Sequence, residues 1–175
     1  MVPLGVAMAM TVRVGEIVGA GQPQRLKRVL ISGWIFALSF MAVSMTAFLT
    51  IGSWLAAQFV ADPGVIQIAA GLLIIAGVFQ LADGFQVICS FALRGINDVS
   101  VPARTAFIAY WIIALPLGAY LTFQHHWGVE GLWWGLTAGL GVAAVILGQR
   151  AWRLLVTQQQ GNAAYVTSTD SASAV

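Results

Sequence analysis

The sequence predicts an all-α, polytopic membrane helix bundle of about five transmembrane helices, and three observations predict it. Hydrophobic residues fill 59% of the 175 positions and charged residues 8%, against roughly a quarter charged in ordinary soluble domains. A soluble fold of this size could not cover itself with so few polar groups, so the solvent is lipid. The eight Lys or Arg and six Asp or Glu are bunched, leaving uncharged runs as long as the roughly 20 apolar residues that cross a hydrocarbon core. Clusters of Gly, Pro, Asn and Asp punctuate those runs, as turns between helices would.

The first span is expected over about 1–19, where the apolar run that begins MVPLGVAMAM stops at Gly19-Ala20-Gly21-Gln22-Pro23. No basic segment precedes MVPLGVAMAM, and Arg13 and Glu16 come only after those ten residues, which argues for a membrane helix and against a cleaved secretory signal. The second span is expected over about 29–52, in a stretch free of charge from Val29 to Ala61, with Trp54 in an interfacial segment before the Asp62-Pro63-Gly64 turn. The third, about 64–93, contains a single charge, Asp83, and ends at Arg94-Gly95-Ile96-Asn97-Asp98. The fourth covers about 103–123, with Tyr110 and Trp111 toward one end and Pro116 inside it; the fifth covers about 129–149. In the fifth, Gly131, Gly135 and Gly139 form a small-xxx-small stripe that would let another helix approach closely. Residues 1–155 thus make one transmembrane bundle. The remainder, 156–175, passes through Gln158-Gln159-Gln160-Gly161-Asn162 into a Ser, Thr and Ala mixture and is expected to be a disordered cytoplasmic tail.

Alternation of these spans puts every basic cluster on one side: Arg25, Lys27 and Arg28, then Arg94 and Arg104, then Arg150 and Arg153, with Arg13 able to snorkel to the same face. The positive-inside rule makes that side, and with it the C-terminus, cytoplasmic. Five is odd, so the first residue would lie on the outer face without a targeting signal, and further helices are expected upstream. The formal charge of +2 and the scattered basic clusters give no nucleic-acid footprint. Cys89, the one cysteine, sits in an apolar run and reads as a packing residue. His125 and His126 are adjacent with only Glu130 nearby, a spacing that suits an interfacial loop with Trp127 better than a metal site. No Walker A loop, nucleophile elbow or kinase motif is present, so no cofactor is expected and any pumping would draw on an ion gradient.

Asp83 is the sharpest chemical signal, because a carboxylate at membrane depth costs a few kcal/mol on insertion scales and marks ion or proton pathways. Gln80, Asp83, Gln86 and Ser90 fall within about a third of the helix circumference and would line a cavity or a helix interface. Asp83 could exchange a proton, offer an oxygen to sodium, or simply hydrogen-bond a neighbouring helix; Arg13 and Glu16, three apart, can pair along one helix face. Tyr110, Trp111 and Phe85 could stack on organic cations or pack against lipid.

The order Pro3-Leu4-Gly5, Val14-Gly15, Gly19-Ala20-Gly21, Asp83-Gly84, Gln86, Leu93-Arg94-Gly95, Pro102, Tyr110-Trp111, Leu115-Pro116-Leu117-Gly118 and Gly131-Leu132-Trp133-Trp134-Gly135-Leu136 resembles the multidrug and toxic compound extrusion (MATE) exporters. The resemblance covers Met1 to about Arg150. It implies a partial C-terminal lobe, the eighth to twelfth spans of a twelve-helix fold whose two lobes enclose the substrate path. It further implies antiport of drugs, organic cations or metabolites against Na+ or H+, with Asp83 at the cation-coupling position of the tenth span and Gln80, Gln86, Ser90, Tyr110 and Trp111 as possible pathway-lining residues. The partners so implied are the lipid bilayer, the small organic substrates and an N-terminal lobe that is absent here. Two other readings compete: a truncated, non-transporting membrane scaffold, and a membrane enzyme using Asp83 with His125 or His126.

Overall fold

The computed structural model describes residues 2–158, all within helices or the short turns between them; most of the expected tail lies outside the described residues. The first helix, α1, covers Val2–Gly19. A short 3-10 turn, Pro23–Arg25, leads into α2, Leu26–Ala57, and α3 covers Pro63–Arg94. The fourth span, Ser100–Phe123, is composite: α4 (Ser100–Phe107), a π-helical turn (Ile108–Ala114) and α5 (Leu115–Phe123). The last helix, α6, covers Gly128–Ala151 and runs on into a second π-helical stretch, Trp152–Gln158. Among the described residues, five helical spans are long and apolar enough to cross a membrane.

The ends of these helices follow from local chemistry. After α1, Gly21 sits at φ +63°, its amide donates to the Val18 carbonyl at 3.1 Å and the Gln22 amide donates to the Ile17 carbonyl at 3.0 Å. That pair of bonds is a Schellman cap, and it needs a residue that tolerates left-handed backbone. Asn97, at φ 63°, closes α3 in the same way, with Asn97 N–H to Arg94 at 2.9 Å and Asp98 N–H to Leu93 at 3.0 Å. The start of α3 is set by Asp62, whose Oδ1 accepts from Gly64 N–H at 2.7 Å and Val65 N–H at 3.2 Å while Pro63 takes the first helical position.

Two features differ from the sequence expectation. α2 is 32 residues long, about 48 Å at the usual rise, because Lys27 and Arg28 continue the helix outward and the segment around Trp54 continues it at the other end. The fourth span contains the π-helical turn, in which Leu115 N–H donates to Tyr110 C=O five residues back. Pro116 explains its place: proline supplies no N–H and crowds the carbonyl four residues earlier, and a widened turn just upstream relieves both.

α3 is the hub, packed against α1, α2 and α6, while α5 leans on α6. The tightest core lies where α1 and α3 end and α2 begins: Val14, Leu26, Leu30, Ile88, Leu93 and Leu147 are fully buried there. Every basic residue named above lies at this same end of the bundle, given the alternation of the helices. At the α5–α6 contact the glycine stripe allows backbone to meet backbone. A Cβ added at Gly135 would collide with the Gly118 backbone, and one at Gly139 would lie 2.6 Å from Ala109 O.

Candidate functional site

Asp83 lies eleven residues, about 17 Å, from the Arg94 end of α3, which places it at membrane depth on the helix around which the bundle is built. It is half-buried, and among the described residues no side chain or backbone group hydrogen-bonds its carboxylate and no cation pairs with it. The interhelical bond that the sequence left open for Asp83 is made instead by Gln80. Its Nε2 donates to Met41 C=O and its Oε1 accepts from Ser44 Oγ, both at 3.2 Å, so Gln80 clamps α3 to α2.

The four polar residues of α3 therefore divide. Gln80 is committed to the α2 contact, Gln86 and Ser90 are buried in the bundle, and Asp83 is the half-open member. Tyr110, in the π-helical turn of the fourth span, is half-buried. Trp111, one residue on, points the other way: it is 63% exposed and stacks on Phe107 at 6.2 Å.

The remaining polar residues are elsewhere. His125 packs its ring edge-on to Tyr120 at 5.2 Å, and His126 takes a left-handed φ of 56° in the turn between α5 and α6. Among the described residues no three His, Cys, Asp or Glu come together as a metal site. Arg13 pairs with Glu16 at 3.3 Å on an exposed helix face. Cys89 is fully buried and accepts from Trp34 Nε1 at 3.3 Å, a packing role. One ion pair has no counterpart in the sequence reading: Arg150 Nε donates to Asp98 Oδ2 at 2.6 Å, tying the end of α6 to the turn after α3. Its only sequence trace is that both charges belong to same-side loops.

A model of the family described as MatE matches residues 1–120. The chain belongs to the MatE family. Among curated MatE relatives, a probable multidrug resistance protein NorM from Xanthomonas axonopodis pv. citri is 41% identical over 150 residues, covering 86% of this chain and 33% of its own length. The multidrug resistance protein PmpM from Pseudomonas aeruginosa is 40% identical over 151 residues, covering 84% of this chain and 32% of its own. The chain thus spans about a third of the length of these relatives. Its fold matches the crystal structure of the eukaryotic MATE transporter AtDTX14 with a TM-score of 0.75 at 22% identity, over 93% of this chain and 36% of that one. MatE proteins are transporters and not enzymes. The chain is an integral membrane protein of that family, as its motif order implied.

Proposed function

We propose that this chain forms part of a cation-coupled antiporter that exports drugs, organic cations or metabolites across the bacterial inner membrane, with its C-terminus cytoplasmic. The observation that carries the reading is the Asp83 carboxylate at membrane depth on the hub helix, without a partner among the described residues. The curated relatives are multidrug resistance proteins, which supports the substrate class. The basic end of the bundle supplies the orientation.

A lone carboxylate in this setting holds one compensating cation at a time, since its negative charge is expensive in a low-dielectric surround and is relieved by a single proton, sodium ion or organic cation. Mutually exclusive occupancy is what exchange requires: the inward-moving ion displaces the outward-moving substrate. Tyr110, half-buried on the fourth span, offers a hydroxyl to a bound ion and a ring face to an organic cation. Gln86 and Ser90 extend the polar path along α3, and Trp111 faces the lipid or a neighbouring part of the transporter. Alternating access needs two lobes to rock about the site, so the remaining helices act as the partner, on the same chain or a separate one.

Drug efflux from cells lacking their own exporters tests this. The protein carrying these residues should lower drug accumulation, and Asp83→Asn should abolish that effect under both a proton and a sodium gradient while membrane insertion stays unchanged. Undiminished export by the Asp83→Asn protein would remove Asp83 from the mechanism.

A further inference from the structure

A groove of about 700 Å³ opens at the basic end of the bundle between α2, α3 and the end of α6, away from the α2–α3 contact that Gln80 makes. Its walls are aromatic. Trp34 stacks on Phe85 with ring centres 4.8 Å apart and 23° between planes, and on Trp152 at 6.2 Å and 13°. Small residues keep it open: the Phe85 ring lies on Gly148, where an added Cβ would fall 2.7 Å from the ring, and Ala144 continues that surface. Its volume is within the range, about 300–1,000 Å³, of sites that hold small organic ligands.

The rim is cationic. Arg153 and Gln149 border the groove, and Lys27 Nζ lies 5.7 Å from the centre of the Trp152 ring. Lys27 and Arg28 also line a shallow recess on one flank, and Arg150 and Arg153 line another. Among the described residues, Glu16 and Asp98 are the acids at this end that form ion pairs, and they are taken by Arg13 and Arg150. Lys27, Arg28 and Arg153 are left with no carboxylate opposite them among those residues.

We infer that this groove is a binding site for an anionic phospholipid of the leaflet on the basic side, with an acyl chain against Trp34, Phe85 and Trp152 and the phosphate held by Lys27 and Arg153. Each half of such a molecule finds its complement: flat apolar walls for the chain, and unopposed donors for the phosphate at the depth where lysine and arginine snorkel to the headgroups. A soluble anion would use the rim and leave the aromatic walls empty. A zwitterionic lipid would use the walls and gain little from the rim.

Native mass spectrometry of the purified full chain in detergent, titrated with phosphatidylglycerol or phosphatidylcholine of the same acyl chains, tests the site. Phosphatidylglycerol should be retained preferentially. The exposed double substitution Lys27→Gln with Arg153→Gln should reduce that preference about 30-fold, from roughly fivefold per basic charge near a membrane surface. Trp152→Ala should weaken both lipids alike, and Arg94→Gln, a basic residue that lies on Phe91 outside the groove, should change neither. Equal retention of the two lipids, a preference that survives the double substitution, a similar loss with Arg94→Gln, or a doubled protein mass without lipid would each overturn the inference. The last outcome would give the groove to a second copy of the chain. None of these readouts depends on transport.

Discussion

The two helix contacts flanking the middle of the bundle are built from different materials. Between α5 and α6 the contact is backbone on backbone: Gly135 faces Gly118, and Gly131 lies against the main chain at Leu121 and Thr122. Between α2 and α3 the small residues are met by flexible side chains, Gly77 by Met45 and Gly84 by Met41, with the Gln80 clamp beside them. In lipid no hydrophobic force pulls helices together, so close packing and polar bonds must do it. Glycine on glycine gives a fixed fit, and methionine on glycine gives one that can be refilled. The difference implies that α5 and α6 move as a unit while the α2–α3 contact can adjust.

The sharpest way to break that comparison is Gly135→Val. The new side chain has the Gly118 backbone in its path, so α5 must leave α6, and the substitution should cost about 3 kcal/mol or more. Reversible unfolding in mixed micelles would register it as a large fall in stability, and a loss below about 1 kcal/mol would mean the two helices are not locked. Gln80→Leu should come next, at about 1 kcal/mol, because it removes two interhelical hydrogen bonds worth on average about 0.6 kcal/mol each in a membrane. Gly84→Ala should cost less again, under about 1 kcal/mol: its Cβ would meet Met41 Cγ at 3.1 Å, and the methionine can swing aside. If Gly84→Ala proved as damaging as Gly135→Val, the proposed softness of the α2–α3 contact would be wrong. Asp83→Asn should stand at the foot of this stability series, since its carboxylate makes no bond to lose among the described residues, even though it is proposed to abolish export.

Those contacts also show which parts of the molecule the sequence discloses. The five spans and the glycine stripe are legible because hydropathy and a four-residue spacing are properties of one segment at a time. Asp83 stands out for the same reason, as a charge where none belongs. The helical wheel that grouped Gln80 with Asp83 gives directions about α3's own axis and does not say where α2 lies, so it could not tell that Gln80 is spent on Met41 and Ser44. The expected span of 29–52 is shorter than Leu26–Ala57 because hydropathy marks where a segment becomes polar or interfacial, whereas Lys27 and Arg28 snorkel at one end and the segment around Trp54 stays helical at the other. Trp34, Phe85 and Trp152 come together from three helices, and Arg150 meets Asp98 across fifty-two positions, so neither group leaves a local pattern.

The π-helical turn Ile108–Ala114 carries a further consequence, for the way this span can change length. Such a turn holds one residue more than an ordinary helix would over the same rise. Deleting a single residue there would restore regular winding while leaving α4 and α5 at nearly the same azimuth, so Arg104 and Thr105 would keep the direction in which they face. The segment is thus a ready-made site for a one-residue gap, one that would leave the first half of this membrane helix aimed as it is and the glycine contacts of the other half in register.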